Sequence, residues 1–599
     1  MRRALLFFAL AAIGCRDARV PVYTDVLRVI ESRRVEDGKG SPVDVWDIAG
    51  ERRPTLVLPA PGRVAIGPLP AGSGCELHFG LAIDPMVWPQ SQGIRFRMSV
   101  AGGDPFFDET LGAASGPDLR WRQHAIRMPA PADAAGGSVE LTFETLPVGG
   151  DSAHERAGWG APYVVCTDRV ARRPPLAHPH VILISIDTLR ADHLGTYGYR
   201  QATSPVIDAL ARESVVFDNA FATASWTLPS HASMLTGLYP DEHLAGHHAP
   251  RTPLRTDIPT LAEVLASAGY RTIAFTGGGI MTRSRGLDRG FALWTERFHA
   301  RLDAVLPEVF DAIGAAPERP FFLFLHSYDV HGPYPDPPPR APGTPPRAPD
   351  LGVSEWMRLI GLPYHHYQAF ERYQGLDQIV TAYDDGIRSV DDHLRPLFEQ
   401  LQRLGLYDDA LVIVTSDHGE SLYERGVYVG HSYTLYDEEL HVPLLVRVPR
   451  ARLIGRRGEL VSGVDLMPLI LDQAGIAPPA GLSGRDPLVP GSLPHDYVRG
   501  ETSHTGACYL RSLEWKWIGG TGGRVPSGIE DRFVGGTQIF DLRSDPRERT
   551  NLVWQPVAPP ADLEAQRAAL GDRCPIPESK EPPMTEQQLL QLRILGYVR

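Results

Sequence analysis

The chain is 599 residues long with a formal net charge of −13 at pH 7, 59 Lys and Arg standing against 72 Asp and Glu. One hydrophobic core seldom extends over that length, so two or three domains are expected. The negative balance is spread along the sequence rather than gathered in a tail, which makes a polyanion a poor partner and excludes a nucleic-acid function.

The amino terminus reads Met-Arg-Arg, then the apolar run ALLFFALAAIG, then Cys15. A basic start, an apolar stretch too short for a stable span and small residues before the cysteine mark an export signal. Cys15 directly after Ala-Ile-Gly resembles a bacterial lipobox, whose cysteine is acylated. Residues 1–15 therefore predict export and a lipid-anchored place in the cell envelope. The remaining cysteines, Cys75, Cys166, Cys508 and Cys574, are even in number but too scattered to announce a disulfide framework or a zinc site, and their pairing stays open.

Residues 20–175 carry short alternating stretches such as GIRFRMSV and GSVELTFETL between Gly and Pro, the pattern of strands in a β-sandwich. Within AGWGAP, Trp159 reads as sandwich core rather than as a platform for a sugar. The segment RVARRPPLAHPH, 169–180, reads as a linker. From 181 the texture changes: VILISI is a continuous apolar run of strand length, and TSPVIDALARES follows with Pro205 in a first helical turn. SWTLPSHASMLTG opens a helix that Gly237 closes, TLAEVLASAG a second, and a third lies near 300–314. The strands YRTIAFTG and FFLFLHSYD alternate with them, so residues 180–475 predict an α/β domain with a largely parallel sheet covered on both faces. The Pro-rich stretch 332–350 has the length of a binding loop or lid. A stripe from Ile379 to Leu401 predicts one long helix over 376–404. After it ALVIVTSDHGES delivers polar residues to the carboxyl edge of the sheet, where ligands of open α/β folds bind. Residues 476–599 predict a small antiparallel sheet with helices.

Three strand ends offer acids and imidazoles: Asp187 after VILISI, Asp417 and His418 after ALVIVTS, and His326, Asp329 and His331 after FFLFL. Taken singly, each aspartate reads as a helix cap or turn former. Gathered at one sheet edge with Thr227 at a helix start, the carboxylates repel one another unless a cation sits among them, so a divalent ion is inferred.

The ordered motifs ISIDTLRADHLGTYGY, TLPSHASMLTGLYP, HSYDVHGPY, VTSDHGESL, GHSYTLYDEELHVPLLVRVP and FDLRSDPRERTNL resemble those of the sulfatase family, within the alkaline phosphatase superfamily. The resemblance runs over 180–599. It implies a mixed sheet between helices with a small C-terminal antiparallel sheet, here preceded by the β-sandwich. It also implies that Asp187, Asp417 and His418 hold one divalent cation together with the oxygen of Thr227. Calcium, magnesium, manganese and zinc are all admissible, and a second ion is not expected because the Asp-x3-His spacing of two-metal relatives is missing. Thr227 takes the place of the cysteine or serine that sulfatases convert to formylglycine, a route closed to threonine. His231 replaces the motif arginine, His441 the arginine before VPLL, and Thr188 the second carboxylate of the usual pair; no lysine falls between 180 and 450. The catalytic set implied is Thr227, His231, His326 and His431, with His331, Arg190 and His441 contacting substrate. A threonine nucleophile resembles the phosphodiesterase and phosphoethanolamine-transferase branches. The expectation is a hydrolase of sulfate or phosphate esters, small-molecule, glycan or lipid, working through a covalent Thr227 intermediate and needing no partner protein. The alternatives are a phosphoryl-group transferase and a non-catalytic glycan-binding surface protein.

Overall fold

All seven residues of the strand His180–Ile186 are buried, which is why it reads as an unbroken apolar run: both of its faces meet core. In the computed structural model it lies inside an eight-stranded sheet ordered Leu293–Glu296, Arg271–Thr276, Phe321–Ser327, His180–Ile186, Ala410–Thr415, Leu444–Arg447, Val215–Phe221 and Gly455–Ser462. Every neighbouring pair is parallel except the two made by Leu444–Arg447. The structure describes residues 19–574 outside 31–42, 85–90, 113–120, 130–137, 150–155, 335–372, 521–535 and some shorter stretches. The export segment with Cys15, most of the Pro-rich stretch 332–350 and the carboxyl-terminal tail lie outside the described residues.

Side chains alternate across the central strand. Ile182, Ile184 and Ile186 enter one core with Ile379, Tyr383, Ile387 and Val390 of the helix Leu376–Arg403. Val181 and Leu183 enter the other with Leu228, Ala232 and Leu235 of the helix Thr227–Thr236. The long helix follows its predicted stripe almost to the residue, and Gly405 beyond it has φ +61°. Gly386 lets this helix lie against the loop after Phe321–Ser327, since a Cβ there would stand 2.8 Å from the Asp329 carbonyl oxygen.

Ahead of this unit, two antiparallel sheets of six and four strands face one another. Their shared core contains Phe79, Phe96, Phe143 and Trp159, the last fully buried among those rings. After it, Val498–Thr502, Ala507–Arg511, Trp515–Gly520 and Gln538–Asp541 form a four-stranded antiparallel sheet. Two disulfides join the scattered cysteines, Cys75 with Cys166 on adjacent strands and Cys508 with Cys574. No described helix is long and apolar enough to cross a membrane.

Candidate active site

The parallel strands end together, so their following residues converge on one edge. Asp187 follows His180–Ile186, Asp417 and His418 follow Ala410–Thr415, and His326 is the penultimate residue of Phe321–Ser327. The helix Thr227–Thr236 starts at the same place and all ten of its residues are buried. Trp226, not Thr227, is its N-cap residue, and no side chain caps it. The threonine hydroxyl is directed inward instead, 3.4 Å from Asp187 Oδ2 and 3.5 Å from His418 Nε2. The helix amides and dipole therefore face the oxygen of Thr227, a setting that favours negative charge there. Ser230, one turn on, anchors the helix by donating its hydroxyl to the Asp417 carbonyl at 2.5 Å.

Asp187, Thr227, Asp417 and His418 are all 0% exposed. His418 Nδ1 donates to the Gly419 carbonyl at 2.9 Å, so the neutral ring presents a bare lone pair at Nε2. That lone pair faces carboxylate oxygens, Asp417 Oδ2 at 3.3 Å and Asp187 Oδ1 at 3.7 Å. Both of those oxygens are buried without a hydrogen-bond partner. Lone pairs turned on one another in a dry cavity are costly unless a cation lies between them. Ligands about 2.1 Å from a tetrahedral ion stand about 3.4 Å apart, which matches these separations. The residues present thus fit one divalent ion. Protonation follows the same logic: burial, then the charge of Asp187, pushes Asp417 up to about 7, and burial pulls His418 down to about 4. Burial also raises Asp187, against the pull of His331 and His418.

Beside this cluster stands the ring of His431, 4.5 Å from His418, and the ring of His331 lies 5.0 Å from His431. His431 Nδ1 donates to Glu420 Oε1 at 3.0 Å. Glu420 is pushed up to about 7 by burial, and His431 is pulled down to about 3 by burial and then His504. Glu420 and His504 were not singled out in the sequence: Glu420 lies two residues past His418, where the motif already accounts for an acid, and His504 comes from a turn of the C-terminal sheet.

Four residues expected at the reacting centre are otherwise engaged. The Arg190 guanidinium is held by Asp192 at 2.8 Å, by Glu424 and by the Glu420 carbonyl at 2.9 Å. His441 Nε2 donates to the Asp218 carbonyl at 2.9 Å while its ring stacks on Phe221. His231 and His326 are buried in the cluster, yet their nearest partners are Ser185, the Thr227 carbonyl and Asp187, not the Thr227 hydroxyl. Asp329 leaves the site altogether: its Oδ2 receives the amide of Leu302 at 2.6 Å and caps the helix Leu302–Gly314. Among the described residues two overlapping sets bring their ligand atoms within 4.8 Å of one another, Asp187–Asp417–His418 and His231–His326–Asp417.

The sulfatase family model matches residues 179–476. The chain is 23% identical over 425 residues to the delta 4,5-hexuronate-2-O-sulfatase of Bacteroides thetaiotaomicron, covering 63% of this chain and 85% of that protein. It is 24% identical over 444 residues to arylsulfatase K of Rattus norvegicus, covering 63% and 75%. The solved phosphonate monoester hydrolase of Agrobacterium radiobacter shares the fold, with a TM-score of 0.51 and 22% identity over 70% of this chain and 96% of that one.

Proposed function

The chain belongs to the sulfatase family through residues 179–476, and on that premise we propose a metal-dependent ester hydrolase that forms a covalent intermediate on Thr227. The observation that supports this most is the fully buried Thr227 hydroxyl at a helix start, 3.4 Å from Asp187 and 3.5 Å from His418. Asp187, Asp417, His418 and the Thr227 oxygen would hold a divalent cation, which when bound would supply positive charge to offset the negative charge on the Thr227 oxygen and on the sulfuryl or phosphoryl oxygens.

Thr227 Oγ bonds to sulfur or phosphorus, and the bond to the ester oxygen breaks. The hydroxyl proton passes to Asp187 Oδ2 and is handed on from there to the departing alcohol oxygen, since burial keeps His331 and His431 neutral. Water then displaces the group from Thr227, releasing the acid and restoring the hydroxyl. Threonine lacks the formylglycine route, and this favours phosphate and phosphonate esters. The sulfatases among its relatives keep sulfate esters, including those of sugars, as the second substrate class. The two disulfides suit an oxidising compartment, which supports export through residues 1–15.

The experiment compares aryl phosphodiester, aryl phosphonate and aryl sulfate as substrates of the purified protein and its Thr227→Ala variant. The variant is expected to lose at least about 1,000-fold in kcat/KM while its bound metal persists through the other three ligands. Quenched reactions should show added mass on the peptide containing Thr227. Unchanged turnover in Thr227→Ala would remove the nucleophile assignment.

A further inference from the structure

Three imidazoles share the buried space around Asp187 and Asp417, and their hydrogen-bond partners sort them into two kinds. His418 turns a lone pair on the carboxylates, as described above. At His326, Nδ1 accepts the amide proton of Gly277 at 3.3 Å. A neutral ring has one lone pair, so Nε2 carries the proton and donates to Asp187 Oδ2 at 3.1 Å. At His231, Nδ1 faces two acceptors, the Thr227 carbonyl at 2.9 Å and Asp417 Oδ2 at 3.5 Å, and must carry the proton. Its Nε2 then accepts the Ser185 hydroxyl at 2.9 Å. With tautomers assigned from these partners, neither His231 nor His326 has a lone pair left for an ion.

We propose that His231, His326 and Asp417 form no second ion site, and that His326 is a positioning residue which holds Asp187 for the single ion. The proposal rests on the reading of Asp187, Asp417 and His418 as ion ligands. By occupying Asp187 Oδ2, the His326 N–H leaves Oδ1 as the unpartnered oxygen facing His418 Nε2. A hydrogen bond to a ligating carboxylate fixes its orientation in this way. The backbone is shaped for the purpose: a Cβ at residue 277 would fall 1.9 Å from Tyr328 Cδ2, so a glycine is needed for the amide to approach His326 past that ring. Tyr328 also packs edge-on against His326, with ring centres 4.8 Å apart, and restrains its rotation.

Two substitutions separate a donor from a ligand. His326→Gln places an amide N–H where Nε2 stood. His326→Asn keeps only the acceptor for Gly277 and removes the donor to Asp187. Metal-free full-length protein is titrated with manganese or zinc by calorimetry, and bound metal is counted by elemental analysis. We expect one equivalent in the wild type, one equivalent with near-native affinity in His326→Gln, and one equivalent bound about 10- to 100-fold more weakly in His326→Asn. Two equivalents in the wild type, falling to one in both variants, would make His326 a ligand and overturn the proposal, as would native affinity in His326→Asn. A wild type that binds no metal brings down the ion reading itself, and that outcome is seen before any variant is compared.

Discussion

Thr188 adopts φ +61°, a left-handed conformation that a β-branched residue rarely takes. The cost is local, and its placement is functional. With the chain turned this way, the Thr188 carbonyl receives the Tyr383 hydroxyl at 2.7 Å and the Thr188 hydroxyl returns to the Asp187 carbonyl at 2.7 Å. Both bonds brace the backbone of Asp187. Asparagine tolerates the same conformation, so Thr188→Asn is expected to raise stability by about 1 kcal/mol, read as a higher urea midpoint with an unchanged slope. A lower midpoint would mean that the threonine methyl contributes more packing than its backbone strain costs. Asp187, Thr227, Asp417 and His418 were readable in the sequence because each sits at the end of a strand or the start of a helix, positions that the parallel topology brings to one edge. Gly277, Ser185 and Glu420 were not, because their roles arise only when separate loops approach one another. Arg190 and His441 were misplaced at the centre for a related reason. A charge or ring legible in one dimension was already occupied in three, by Asp192 and Glu424 in one case and by the Asp218 carbonyl in the other.

Among the elements, the helix Leu376–Arg403 was legible throughout because its stripe repeats over 28 residues. The helix Asp437–Leu440 was not, since four residues show no period. The long helix also bears a charge pair that repetition cannot reveal: His393 Nδ1 lies 3.3 Å from Asp329 Oδ1, with Asp303 at 3.6 Å from the other ring nitrogen and Arg301 at 3.5 Å from Asp329. Burial pulls the His393 pKa down, and the bond and charge of Asp329 more than reverse it, so the group titrates above 6.5. Asp329 shifts the other way: burial raises it, and His393 brings it below 3.8 overall. The raised histidine stabilises the fold fully below its unfolded value and loses that contribution as pH rises through its folded value. The lowered aspartate contributes above its unfolded value and loses its part as pH falls. The difference in unfolding free energy between wild type and His393→Gln should therefore be greatest between the unfolded values of 3.8 and 6.5 and shrink as pH rises through the raised folded value of His393. A difference that stays flat with pH would show that His393 acts through packing alone.

Across the whole molecule, the C-terminal sheet is joined to the α/β unit by buried charge. Lys516, 0% exposed, binds Asp437 Oδ1 at 2.8 Å and Glu548 Oε1 at 2.5 Å. Arg511 meets Asp437 at 3.1 Å, while Arg425 reaches Glu438 at 2.7 Å and Glu548 at 3.3 Å. Three cations and three carboxylates thus balance where the two units meet. Desolvation makes such a network weak evidence for net stability, but removal of one member strands its partners. The network also bears on the reacting centre. Asp437–Leu440 carries the Glu439 carbonyl that accepts the Gly419 amide at 2.8 Å, and Gly419 is next to His418. A Cβ at 419 would lie 2.2 Å from the Glu438 carbonyl oxygen, so the His418 loop rests directly on this short helix. Lys516→Met, which keeps the length of the side chain and removes its charge, is expected to destabilise the protein by about 3–5 kcal/mol. Fluorescence of Trp515 and Trp517, both in the C-terminal sheet, reports that loss during urea unfolding. If the network supports the His418 loop, the same variant binds metal more weakly under conditions where it is still folded, and Lys516→Met/Glu548→Gln recovers part of both losses because the stranded carboxylate is gone. Native metal affinity in a folded but destabilised Lys516→Met would confine the network to joining the two units and separate it from the chemistry at Thr227.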